Sequence, residues 1–265
     1  MPYMLEVCRA GKTIEVCKYY TYRHNVKGEK RKKKEKQTTD AQKKVNLRKA
    51  EKELRRLMNH NFEDGDSLVR LDFFKQHYPL SNEDMQKMME KYLRKLRKEF
   101  KKHGRTLKYI YVKEIGKRGG RHIHIIMSKV DTDTLLKCWP YGGIHLDPLN
   151  SGGQYEKIAA YFIKYSEKTE QTEGKLVGKR WNPSKNLKRP VVEKKVISAG
   201  AFRKNVKEIE GYQLDKESVR QGISNVTGYE YFSYTLIKRK EGGGKAEFGK
   251  HIHSHRYQRV KEEGW

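Results

Sequence analysis

Between Leu68 and Thr169 the hydrophobic period of the chain switches repeatedly between two and about 3.6 residues, and this alternation restricts the possible folds severely. "DGD", Asp64 to Asp66, marks a turn, and "LVRLDFF", Leu68 to Phe74, has strand periodicity. "SNEDMQKMMEKYLRKLRKEFKKHG" follows with helical spacing: Ser81-x-x-Asp84 resembles a capping box, Met85, Met88, Tyr92, Leu96 and Phe100 form one stripe, and Gly104 stands at the end. Two strands, "LKYIYVKEI" (Leu107 to Ile115) and "HIHIIMS", flank the tight turn "GKRGG". A short helix from near Asp131, a strand in "GGIHLDPL" and a last amphipathic helix from Gly153 to Thr169 complete the stretch. The first six elements have the split βαβ order of a ferredoxin-like α+β fold. That order predicts an antiparallel sheet with helices on one face, an open face free for a ligand, and His122 and His124 on a central strand.

The flanks carry weaker signals. "YMLEVCRAGKTIEVCKYYTY" predicts a hairpin around "RAGK". "AGKT" ends like a phosphate-binding loop, but Glu6 stands where its first glycine belongs, and no other such motif occurs, so no NTPase or helicase module is expected. Lys27 to Lys36, "KGEKRKKKEK", is a solvated linker or a phosphate-contacting arm. A helix is predicted from about Asp40 to Asn59, opened by Thr39-x-x-Gln42 and striped by Val45, Ala50, Leu54 and Leu57; its basic outer face suits DNA or water equally. Beyond Glu170 the strand-like pieces are scattered among basic loops. The expected division is a hairpin, basic arm and helix over 1–61, a central α+β core over 62–170 and a basic extension over 171–265. His251, His253 and His255 repeat a His-x-His pattern in a polar tail without the apolar run that would make it a strand.

Charge narrows the partner. The 265 residues hold 60 Lys+Arg against 33 Asp+Glu, a formal net charge of +27, which points to a polyanion: nucleic acid first, an anionic membrane surface second. No apolar run is long enough to span a bilayer, and "MPYMLEVCRA" lacks a secretory pattern. Cys8, Cys17 and Cys138 make neither a disulfide framework nor a metal knuckle, so a reducing cytoplasm is the expected setting.

Two constellations carry chemistry. His122 and His124 alternate along a strand and so project to one face, about 7 Å apart, while Glu114 lies on the strand that folds back against them. Two imidazoles and a carboxylate with open positions suit Mg²⁺ or Mn²⁺ acting as a Lewis acid; a structural zinc site would want four closed ligands. The alternative is a wet sheet face with half-exposed histidines and Glu114 paired to Lys113 or Arg121. On the last helix Tyr161, Lys164 and Tyr165 fall at i, i+3 and i+4 beside an apolar side of Ile158, Phe162 and Ile163. A phenol can attack a phosphodiester with a lysine to steady its charge. Two rings packing on the sheet with hydroxyls in water is the plainer account.

Together these motifs resemble the HUH endonuclease superfamily, the rolling-circle replication initiators and relaxases, and above all the initiators of single-stranded DNA phages and related plasmids. "NFEDGDSLVRLDF" is similar to the family's first motif, with Arg70 and Asp72 where threonines are usual; "YVKEIGKRGGRHIHIIM" is similar to its metal motif. "RWNPSKNLKRP" and "TGYEYFSYTLIK" resemble segments beyond the nucleophile helix, so the likeness runs from about Tyr19 to Lys238. The resemblance implies His122, His124 and Glu114 as metal ligands, Tyr161 as nucleophile with Lys164 as its lysine, and Tyr165 as the second tyrosine of some branches. It further implies a divalent metal cofactor (Mg or Mn) and site-specific nicking and joining of single-stranded DNA at a replication origin through a 5′-phosphotyrosine. A host helicase in a bacterial cytoplasm would be a partner, and no membrane would be involved. Two other readings stand beside it. One is a non-catalytic RNA- or single-strand-binding module stacking bases on Tyr109, Tyr111 and Phe73; the other is a transposase or relaxase of the same superfamily.

Overall fold

A computed structural model describes residues 3–21, 40–116, 119–173 and 180–239. The basic run Lys27 to Lys36, Thr39 of the first capping motif, and His251, His253 and His255 lie outside the described residues. In chain order the elements are β1 (Tyr3–Ala10), β2 (Thr13–Tyr20), α1 (Asp40–Asn61), β3 (Ser67–Leu71), α2 (Asn82–Lys102), β4 (Tyr109–Ile115) and β5 (Arg121–Met127). There follow α3 (Thr132–Cys138), β6 (Ile144–Pro148), α4 (Glu156–Glu173), β7 (Asn182–Pro183), β8 (Val192–Ile197), β9 (Tyr212–Ile223) and β10 (Glu230–Lys238).

One five-stranded sheet has the order β6-β3-β5-β4-β7 with every neighbour antiparallel, so its first four strands realise the split βαβ order in an α+β fold. Strand alternation divides its two faces. Val69, Leu71, Tyr109, Tyr111, Ile123, Ile125 and Met127 meet α2 and α3 on one side. There α2 contributes Met85, Met89, Tyr92, Leu96 and Phe100, each fully buried apolar side chain worth roughly 1.5–3 kcal/mol. The helix opens with the expected box: Ser81 Oγ accepts from Asp84 N at 3.0 Å and Asp84 Oδ2 accepts from Ser81 N at 3.1 Å. The sequence predicts Met88 in the buried stripe; Met89 takes that place, one helical turn from Met85, and Met88 is left half-buried at the surface. Tyr109 and Tyr111 are buried at 7% and 3% exposure beneath α2, which removes the base-stacking platform that an RNA-recognition reading requires.

The second face is covered as well, unlike the open face predicted from the sequence. Ile110, Val112 and Ile126 pack against Leu54 and Met58 of α1 and Ala159, Phe162 and Ile163 of α4. Two amphipathic helices had apolar stripes to bury, and this surface receives both. Toward the β4–β5 turn the same face becomes polar, with Arg70, Asp72, Glu114, His122 and His124 in place of aliphatic residues.

A second five-stranded sheet, β8-β1-β2-β10-β9, joins the N-terminal hairpin to strands from the far end of the chain. β1 and β2 are linked through Gly11 and Lys12, with Ala10 opposite Thr13. Gly11 has φ 56°, and a Cβ there would sit 2.0 Å from the Asn59 carbonyl oxygen, so only glycine lets this turn lie against the end of α1. α1 is held between the sheets by charge on its other side. Arg56 Nη2 lies 2.7 Å from Glu6 Oε1 and 2.5 Å from Glu15 Oε1, Arg55 Nη2 2.5 Å from Glu15 Oε2, and Lys52 Nζ 2.7 Å from Glu6 Oε1. Burial acts to raise both carboxyls, but the surrounding cations outweigh it and hold each at about 2. Among the described residues no helix is long and apolar enough to cross a membrane.

Candidate functional site

The β4–β5 hairpin sets the centre of the site. Its ladder places Glu114 opposite His122 and Val112 opposite His124, closed by Gly116 N donating to Gly120 O at 2.6 Å. Glu114, His122 and His124 therefore share one face, and Glu114 reaches diagonally: its Oε2 lies 2.7 Å from His124 Nε2, with both side chains buried. His122 turns the other way. Its Nδ1 lies 2.7 Å from Asp72 Oδ1, and Asp72 Oδ2 accepts from Arg70 Nη2 at 3.1 Å.

Asp72 is fixed by its backbone. Its N–H donates to Gly143 O at 2.9 Å, its carbonyl accepts from Trp139 Nε1 at 3.0 Å, and Phe74 N donates to Tyr141 O at 2.9 Å. These bonds end β3 at Leu71, before the predicted Phe74, and tie the chain to the loop ahead of β6. A Cβ on Gly142 would stand 1.9 Å from the Asp72 carbonyl oxygen, so this close approach needs glycine. Burial pushes the Asp72 carboxyl up, but the His122 hydrogen bond and the Arg70 charge prevail and leave it below its ordinary value.

α4 brings the tyrosines. Its buried side is Ala159, Phe162 and Ile163, and Thr169 pins its far part to β4, accepting from Ile115 N at 3.1 Å and donating to Lys113 O at 3.2 Å. The neighbouring helix face then overlies the polar end of the sheet. The His124 ring lies 5.2 Å from the Tyr161 ring, edge-on, and 5.3 Å from the Tyr165 ring, stacked; the two tyrosine rings are 4.1 Å apart. Tyr161 is 39% exposed. Its phenol is raised above the ordinary value by burial first, then by the hydrogen bond with Tyr165 and the nearby Glu114 carboxylate.

Of the six residues singled out in the sequence, Glu114, His124, Tyr161 and Tyr165 meet in one cluster, His122 stands beside it on Asp72, and Lys164 is exposed on the helix. Sequence reasoning assigned no role to Asp72 and Arg70. Their signal was present: they alternate with Val69 and Leu71 as the histidines alternate with Ile123 and Ile125. Among the described residues, the trio of metal-type donors within 4.8 Å of one another is Glu6, Glu15 and Cys17, a set compatible with a divalent ion. That set already faces Lys52, Arg55 and Arg56, and burial pushes the Cys17 thiol up to about 11, so its carboxylates are neutralised by protein cations.

The segment that builds the polar face has a counterpart among known families. Residues 66–170 match the family model of Replication-associated protein ORF2/G2P. The match opens at β3 and closes within α4, so it takes in every residue of the cluster, and it is consistent with a replication initiator. No curated protein and no solved structure matches the chain.

Proposed function

We propose that the protein is a nicking-joining endonuclease of the HUH type that starts rolling-circle replication on single-stranded DNA. The observation that carries this reading is the packing of Tyr161 and Tyr165 on the ring of His124, which itself meets Glu114. A phenol pair has no structural need to sit on a buried histidine–carboxylate pair. A nucleophile beside a phosphate-activating centre does.

The donor chemistry fits a divalent ion. His124 Nε2 and Glu114 Oε2 already point at each other, and Asp72 engages Nδ1 of His122, which leaves its Nε2 as the remaining donor. His122, His124 and Glu114 would hold Mg²⁺ or Mn²⁺, which when bound supplies Lewis-acid polarisation of a phosphate. Tyr161 is the nucleophile. Its oxygen bonds to phosphorus, the 3′ oxygen of the preceding nucleotide leaves, and the phenol proton is balanced by the proton the 3′-hydroxyl acquires. The product is a 5′-phosphotyrosine and a free 3′ primer end. Because Tyr161 is protonated at neutral pH, its proton must move as the new bond forms; Tyr165 holds the phenol in place through their hydrogen bond. Lys164, exposed three residues on from Tyr161, would meet the phosphate backbone in this reading. Attack on the phosphotyrosine by a DNA 3′-hydroxyl would restore a phosphodiester and release Tyr161 with the proton that hydroxyl gives up, while Tyr165 would serve as the nucleophile of a second cut.

The test is a denaturing gel of labelled single-stranded DNA incubated with the full chain and Mn²⁺. A covalent adduct is expected from the parent and from Tyr165→Phe, and none from Tyr161→Phe, which loses only the attacking oxygen. An adduct undiminished in Tyr161→Phe would sink the assignment of the nucleophile, and no adduct from the parent on origin-bearing DNA would sink the nuclease reading.

A further inference from the structure

Beside the polar face, the segment after Asp72 presents side chains that folding leaves bare. Phe74 is 52% exposed, Tyr78 38% and Leu80 87%, with His77 and Met88 half-buried between them. Of these, Tyr78, Leu80, His77 and Met88 border, with α2, a surface groove of about 340 Å³. Its rim is cationic: Lys87 and Lys91 line it and Lys75 stands next to it, all exposed. The one carboxylate in the lining, Asp84, is engaged by the Ser81 backbone and hydroxyl, at 3.1 and 2.9 Å.

The groove wall is rigid and attached to the histidine hairpin. His77 N donates to Phe74 O at 3.0 Å, and the His77 ring packs edge-on against Tyr141 at 5.9 Å. The Tyr78 hydroxyl donates to the Gly119 carbonyl, and Arg121 Nη2 donates to Leu80 O at 3.3 Å. Gly120, next in the same turn, neighbours His122: a Cβ there would be in ordinary contact, 3.4 Å from Nε2. One turn thus joins the wall of the groove to a histidine of the cluster.

We propose that this groove is a base-stacking channel for single-stranded DNA running to or from the nicking centre, an inference that rests on the proposed endonuclease function. The exposed Tyr78 ring, with the half-buried His77 ring beside it and lysines on the rim, matches a strand that offers unpaired base faces and phosphates together. A protein partner would leave the lysine rim without a counter-charge, and a duplex offers the rings no base face. Ring preorganisation lowers the cost of binding, because the segment is already held before DNA arrives.

The experiment measures anisotropy of a fluorescein-labelled, mixed-sequence single-stranded DNA with the full chain in EDTA, so that binding is read without cleavage. Tyr78→Ala should weaken binding roughly 5- to 100-fold with the salt dependence unchanged, since a stacked base but no phosphate contact is lost. Tyr78→Phe should lose much less than Tyr78→Ala, because the ring remains and only its tie to Gly119 goes. Lys87→Gln with Lys91→Gln should instead flatten the salt slope by about 0.7 per lost contact. Parent-like binding by Tyr78→Ala, a loss in Tyr78→Phe as large as in Tyr78→Ala, the same loss on duplex DNA, or tighter ring-dependent binding of single-stranded RNA would each overturn the proposal. The Mn²⁺ adduct assay on the parent separates the two readings. An adduct with ring-indifferent binding overturns the groove alone, and ring-dependent DNA binding without an adduct overturns the nuclease alone.

Discussion

Replacing Asp72 by alanine removes the acceptor that His122 Nδ1 meets at 2.7 Å and the carboxylate that Arg70 Nη2 meets at 3.1 Å. The carboxylate keeps the His122 proton on Nδ1, so Nε2 retains the lone pair that a metal ion would need. A hydrogen bond to a charged partner is worth about 1.5–3 kcal/mol, against about 1 for a neutral one. The Asp72 and His122 side chains are 28% and 34% exposed, which places this bond at the low end of that range. About 1.5–2 kcal/mol corresponds to a 10- to 30-fold loss of Mn²⁺ affinity in Asp72→Ala, and a retained neutral acceptor limits Asp72→Asn to roughly two- to five-fold. Calorimetric titration of the full chain with Mn²⁺ reads the affinity, and single-turnover adduct formation at subsaturating Mn²⁺ should fall in parallel, with single-stranded DNA binding in EDTA unchanged. Asp72→Ala binding Mn²⁺ as tightly as the parent would refute the positioning role. So would Asp72→Asn binding more weakly than Asp72→Ala.

Two further predictions concern how the site is supported. In Glu15→Gln, Arg56 keeps Glu6 at 2.7 Å and Arg55 keeps Glu156 at 3.5 Å, so the cost should be near the low end for a broken buried pair, about 3 kcal/mol, or a Tm lower by roughly 6–12 °C. Glu6 and Glu15 titrate at about 2 in the folded chain against an ordinary 4.5, so their stabilisation is complete above pH 4.5 and is lost as pH falls toward 2. Scanning calorimetry should show the parent's Tm falling through that window more steeply than the variant's, and equal slopes would refute the assignment. Gly142→Ala places a methyl 1.9 Å from the Asp72 carbonyl oxygen and 2.6 Å from Phe73 Cα; it should cost about 1–3 kcal/mol and weaken Mn²⁺ binding, whereas Gly200→Ala, with nothing within 4 Å, should change neither.

Much of what the sequence made legible was local. Ser81 and Asp84 announce the start of α2 because a capping box is written in residues three apart, and the "GKRGG" turn fixes which face Glu114 shares with the histidines. The strand order was legible too, but the register between distant strands was not. Nothing in "SLVRL" states that Arg70 will oppose His124, and that register is what carries Asp72 to His122. The choice of Met89 over Met88 depends on the angle at which α2 meets the sheet, which spacing alone does not set. The covering of the second face by α1 and α4 rests on helices far apart in sequence, whose Met58 and Phe162 belong to one buried cluster.

The pairing of β2 with β10 sets Lys18 beside Phe232 and Ile14 beside Leu236. On a ribosome the β2 edge must therefore wait for on the order of 200 residues to be made, roughly 10–40 s at about 5–20 residues per second. For that interval Ile14 and Val16 have neither the strand nor the core cluster that later buries them. The hairpin is thus an orphan edge during synthesis, open to strand addition by other chains. Its charged face, with Glu6 and Glu15, can already dock on Lys52, Arg55 and Arg56 once α1 has emerged. The buried ion cluster, by contrast, draws its acids and bases from β1, β2 and α1 alone, all of them made long before the strand that completes the sheet.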